Sequence, residues 1–111
     1  MKIRNSSGHL WSPPIWVDFM ARDDAWRVPL DFPGTLADLN RHRIELTEGM
    51  HLVLYTHDAT ATSDPDDLVT VGTVVNDRGR WFAKYDWPSL THVSDLDATD
   101  KHLYLATSSG S

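Results

Sequence analysis

The segment LVTVGTVVNDRGRWFAKYDW, residues 68–87, constrains the fold of this chain more than any other. Two runs rich in β-branched and aromatic residues flank the polar tetrapeptide NDRG, in which Gly79 suits the left-handed position of a type I turn with a bulge. A β-hairpin is expected, with Asn76 opposite Arg80. That register pairs Val75 with Trp81, Thr73 with Ala83, Val71 with Tyr85 and Val69 with Trp87, an aromatic-on-β-branched stripe facing a core. The other face carries Thr70, Gly72, Lys84 and Asp86, with Val74 and Phe82 among them.

A similar pattern stands upstream. IWVDFMA (15–21) and WRVPLDF (26–32) flank the polar stretch RDDA, a good hairpin loop length. With Ala21 facing Trp26, the pairs Phe19–Val28, Val17–Leu30 and Ile15–Phe32 make one face wholly apolar, and a one-residue slip would mix the two sets. Trp16, Asp18, Met20, Arg27 and Asp31 then share the other face. Pro29 cannot donate to a ladder, so its strand is expected at an edge or leaving the sheet there. SPP (12–14) imposes extended geometry, and residues 1–14 read as an N-terminal arm.

The period changes in FPGTLADLNRHRI. Thr35 is a predicted N-cap with Asp38 three residues on, and Leu36 and Leu39 fall on one side of a short helix near 35–42. HLVLYTH (51–57) reads as a strand with Leu52, Leu54 and Thr56 on one face and His51, Val53, Tyr55 and His57 on the other. Both faces are partly apolar, as in a small barrel. WPSL offers one helical turn, THVSDLDATDKH a polar connection, LYLAT (103–107) a last strand, and SSGS (108–111) a disordered tail. A chain of 111 residues, 41% hydrophobic, can build one modest core. The expected architecture is a single mainly β domain over 15–107, an antiparallel small barrel with one short helix.

The succession WVDF (16–19), GTLADL (34–39), LTEGMHLVLY (46–55), DLVTVGTVV (67–75) and RWFAKYDW (80–87) resembles a set of small uncharacterised bacterial proteins. More loosely it is similar to SH3-like β-barrels. The resemblance spans roughly residues 15–88 and implies a barrel fold. Its motifs are structural and bring no catalytic residue. The helix between strands departs from a minimal SH3 barrel.

Charge and composition narrow the function. The net charge of -6 weighs against nucleic acid as a partner, since that affinity rests on Lys and Arg neutralising phosphates. There is no cysteine, which removes disulfides and thiolate chemistry. No run of about 18 apolar residues would span a membrane, and the N-terminus has no apolar signal core, so a cytoplasmic location is expected. The loop THDATATSDPDD (56–67) gathers His57, Asp58, Asp64, Asp66 and Asp67, but without the glycine and distal glutamate of a calcium loop it reads as a solvated connection. His51 and His57 lie about 20 Å apart along one strand, too far to share an ion. His92, Asp95, Asp97, Asp100 and His102 would make a metal site only if their segment folded back. No nucleophile elbow, phosphate loop or dinucleotide fingerprint is present, and no cofactor is expected.

The aromatic residues favour binding. Five tryptophans is a high count, and Trp26, Trp81 and Trp87 fall on the expected core faces. Trp16, Met20 and Phe82 fall on the more polar faces, where another strand, the helix or a partner must cover them. They are the candidate binding residues. The sequence thus points to a small binding or self-association module, with a protein partner or a homodimer. The alternative from another class is a small metal-dependent enzyme or metal-binding protein using the acidic and histidine-bearing loops.

Overall fold

The computed structural model describes residues 13–57, 66–86, 88, 90–99, 102 and 104. Among the described residues, a curled half-barrel of six strands is flanked by a nine-residue helix. The strands are β1 (Ile15–Trp16), β2 (Arg27–Pro29), β3 (His51–Thr56), β4 (Leu68–Asp77), β5 (Arg80–Lys84) and β6 (Thr91–His92), and the helix α1 spans Pro33–Arg41. The order across the sheet is β1-β3-β4-β5-β2, and β6 pairs with β4. All pairings are antiparallel except that of β1 with β3, which is parallel. Long β4 organises the rest: its first half pairs with β3, its last five residues with β5, and Leu68 and Val69 also with β6.

The β4–β5 hairpin forms as expected, but one residue out of the expected register. Asp77 faces Arg80, so the pairs are Asn76–Trp81, Val75–Phe82, Val74–Ala83 and Thr73–Lys84. The turn has two residues, not four. Arg78 (φ 55) and Gly79 (φ 87) are both left-handed, the pattern of a type I′ turn, whose twist matches that of the strands. The slip turns β4 over but not β5: Val74, expected on the outer face, is fully buried beside Ala83, which was expected inside, while Val75 and Phe82 are only partly buried. Of the three tryptophans expected in the core, Trp81 packs half-buried against it and Trp26 is 37% exposed, while Trp87 lies outside the described residues.

The upstream hairpin does not form. Ile15 and Trp16 pair in parallel with Leu54 and Tyr55, and Arg27–Pro29 pairs with Lys84–Phe82. The local cause is Asp18, whose carboxylate accepts the Met20 N–H at 2.9 Å and caps a 3-10 turn at Phe19–Ala21 that ends β1. Ile15, Val17, Phe19, Val28 and Leu30 still meet in one core, reached from opposite ends of the sheet. β2 does lie at a sheet edge, as Pro29 requires.

Side chains alternate across β3. Leu52 and Leu54 enter the main core with Val74, Ala83, Tyr85 and Leu39, while Val53 joins Val69, Val93, Leu96 and Tyr104 in a smaller cluster. Both faces of the sheet are therefore covered. Tyr104, the described residue within the expected last strand 103–107, is helical. The arm over 1–12, the tail over 108–111 and loop positions 58–65 lie outside the described residues.

Candidate functional site

α1 begins one turn's fraction earlier than expected, with Pro33 at its first position and Phe32 as the N-cap, so Thr35 is not the cap. Its buried face is also different. Thr35, Asp38 and Leu39 are buried, whereas Leu36 is 50% exposed. Burying a hydroxyl and a carboxylate is costly unless both are hydrogen-bonded, and both are. The Trp16 N–H donates to Asp38 Oδ2 at 2.9 Å, and Thr35 Oγ1 donates to the Trp16 carbonyl at 2.8 Å.

That pair of bonds settles the edge of the sheet. Val17 N–H bonds back to the Tyr55 carbonyl at 2.9 Å, so the backbone of Trp16 points away from β3. Thr35 and Asp38, three apart on one helix face, supply respectively a donor and an acceptor where a further strand would have supplied them. The far edge is closed in the same manner. At Arg27 of β2, the N–H donates to Asp23 Oδ1 at 3.1 Å and the carbonyl accepts from the Asp23 N–H at 3.0 Å.

With its backbone clamped, Trp16 lays its half-buried indole against the start of α1. A Cβ built on Gly34 would stand 3.0 Å from the indole Cε3, so a side chain there would require the ring to shift by a few tenths of an ångström. Beside the ring runs a groove of about 450 Å³ lined by Trp16, Phe32, Pro33, Gly34, Ala37, Asp38, Tyr55 and His57. Trp16 and Tyr55 are direct partners in the β1–β3 register, which sets their side chains next to one another.

The groove's polar groups are tied together. Asp38 also accepts from the Tyr55 hydroxyl at 3.4 Å and is paired with Arg41. Burial, then the charges of Asp38 and Asp67, push the Tyr55 phenol up to about 12, with Arg41 opposing. His57 Nδ1 lies 3.1 Å from Asp67 Oδ1, and Tyr104 donates its hydroxyl to the other Asp67 oxygen at 2.5 Å. Asp66 accepts from the Ser94 N–H (3.0 Å) and hydroxyl (2.6 Å). The end of the acidic loop thus acts as a structural brace, binding the 93–104 segment to the sheet, where a solvated connection was expected.

The three candidate binding residues go to different places. Trp16 is on the groove. Met20, 85% exposed, stands on the 3-10 turn beside a smaller hollow of about 370 Å³ with Arg22, Asp23, Asp24 and Trp26. Phe82 lies under two guanidiniums, Arg27 at 4.6 Å and Arg80 at 5.1 Å, which cover it from within the chain. Phe32, Tyr55, Asp38 and His57 join Trp16 without having been singled out as a site. The signal that could have found them is the Thr35/Asp38 pair: polar residues at helical spacing beside Gly34, on a helix with few apolar residues to bury. Among the described residues no three His, Asp or Glu side chains converge on a metal position, and Asp100 lies outside them. No helix among the described residues is long and apolar enough to cross a membrane. Set against protein-family models, curated proteins and solved structures, the chain matches none.

Proposed function

We propose that this protein is a small binding module whose recognition surface is the groove framed by Trp16, Phe32 and Tyr55. One observation carries the reading. The Trp16 backbone is clamped on both its N–H and its carbonyl, while the residue stays only partly buried on the groove wall. A rigid aromatic group that loses little freedom on binding is what a recognition site uses. The groove's volume falls in the range of small-ligand sites, and its lining is mainly apolar with a few fixed polar groups.

Self-association by strand addition has little support, because the outward backbone of both terminal strands is engaged at Trp16 and Arg27. A second copy would have to dock through side chains. The test is an NMR screen of the labelled protein against a panel of small aromatic, amine and carboxylate compounds and short peptides. Binding at the groove shifts the Trp16 indole, Gly34, Ala37 and Tyr55 signals together. Shifts confined to the Met20–Trp26 hollow or to Phe82, or no shifts at all, would overturn the assignment.

A further inference from the structure

We propose, building on the groove as recognition surface, that its ligand is a small quaternary ammonium compound, a cation wrapped in alkyl groups. Three aromatic side chains from three separate elements line one groove: Trp16 from β1, Phe32 from the helix cap and Tyr55 from β3. Aromatic faces attract cations, and weakly hydrated ones most readily, since little hydration is lost on entry. Elsewhere in this chain such faces are already occupied: Arg27 and Arg80 lie over Phe82, and Arg22 lies 4.8 Å from the Trp26 ring centroid. Among the described residues no lysine or arginine lies over Trp16, Phe32 or Tyr55, and Tyr55 meets only the His57 and Tyr104 rings, edge to face at 5.4 and 6.3 Å.

The field in the groove has the matching sign. Asp38 is on its wall, and Asp67 stands behind Tyr55 and His57. At the Tyr55 hydroxyl the effect of these carboxylates, Asp38 foremost, outweighs that of Arg41, the partner of Asp38. The whole chain reinforces this, with 16 acidic residues against 10 Lys and Arg.

The hydrogen bonding then selects among cations. Asp38 Oδ2 already accepts from Trp16 and Tyr55, and Oδ1 is paired with Arg41. A primary ammonium or a guanidinium entering the groove would find that carboxylate engaged and leave N–H donors poorly matched. A quaternary ammonium has no N–H to satisfy. It gains from the aromatic faces and the field and gives up little. The groove's size favours a free small molecule over a long peptide.

The test titrates the full chain with choline and, separately, with 3,3-dimethylbutan-1-ol, its uncharged isostere, reading the Trp16 indole signal by NMR. Choline is expected to saturate that signal and to bind at least about tenfold more tightly than the alcohol. Trp16→Ala, read at the Gly34, Ala37 and Tyr55 signals because the indole is gone, should abolish the response with the rest of the spectrum intact, and Arg41→Ala, which removes a competing cation outside the aromatic lining, should tighten choline binding. Equal binding of alcohol and choline would overturn the ammonium assignment and leave the groove as a recognition surface. No response to either overturns it too, and the wider compound screen then decides separately whether the groove binds anything. A trimethyllysine peptide binding tenfold better than choline would overturn the free small molecule as the ligand.

Discussion

Asp38→Ala should destabilise this protein well beyond the loss of its ion pair with Arg41. The substitution removes a charge-assisted bond to the part-buried Trp16 N–H. Bonds of that kind contribute about 1.5–3 kcal/mol. The Tyr55 contact, at 3.4 Å, adds little. The Arg41 pair, with the arginine half-exposed, adds between about 0 and 1 kcal/mol. The expected loss is therefore about 2–4 kcal/mol, or roughly 10 °C in melting temperature at about 4 °C per kcal/mol for a domain of this size. Asp38→Asn keeps an acceptor for Trp16 and should lose less, about 1–2 kcal/mol. Arg41→Ala should lose no more than about 1 kcal/mol. Urea denaturation followed by far-ultraviolet circular dichroism gives all three values, and amide exchange at Trp16 reports the bond itself. Because Thr35 grips the same residue, Thr35→Val and Asp38→Ala should be non-additive in a double-mutant cycle. A loss for Asp38→Ala no greater than that for Arg41→Ala, with Trp16 still protected from exchange, would refute the helix-side-chain clamp.

Three further outcomes follow from other parts of the molecule. Tyr85→Phe should leave stability unchanged or raise it, because the buried Tyr85 hydroxyl has no hydrogen-bond partner among the described residues; a loss above about 1 kcal/mol in the same denaturation assay would mean the hydroxyl has one. Arg78→Asn should raise stability by a few tenths to about 1 kcal/mol, since asparagine tolerates the left-handed φ of 55 that a type I′ turn demands, and a four-residue loop would gain nothing. All three tyrosines have phenols raised chiefly by burial, Tyr55 to about 12, and Tyr85 and Tyr104 also upward. A raised folded pKa on an acid neutral below it gives stability that is complete below the ordinary value of 10 and is lost as pH rises from there through 12. Phenolate absorbance should therefore appear together with unfolding in alkaline titration, and full phenolate signal in a still-folded protein near pH 10 would contradict the burial.

The parts of this fold that were legible in the sequence are those set by short-range pattern. The alternation in 68–77 and 80–84 placed a hairpin correctly, and the two apolar faces of His51–Thr56 foretold clusters on both sides of the sheet. Its register was not legible, because NDRG closes either as a four-residue loop or as a two-residue turn with Arg78 left-handed, and arginine gives no sign of that conformation. The upstream pair failed for a different reason. Matching apolar faces in 15–21 and 26–32 reflect a shared core, not shared hydrogen bonds, and the true partner of Ile15 is Leu54, far along the chain and parallel. The candidate site was legible only at Trp16. Its other half depends on Thr35 and Asp38 reaching across to a strand edge, and their spacing is equally that of a capping box.

The most direct test of the account is Trp16→Ala, measured for stability and for groove binding on the same sample. A fully buried tryptophan costs about 3–5 kcal/mol when truncated. Trp16 is only partly buried and its backbone is held by Thr35 and Asp38, so the expected loss is smaller, about 1–2 kcal/mol, with the shifts at Gly34, Ala37 and Tyr55 abolished in the compound screen. A loss of about 3 kcal/mol or more with those ligand-induced shifts unchanged would show that the ring is packing and not a recognition surface.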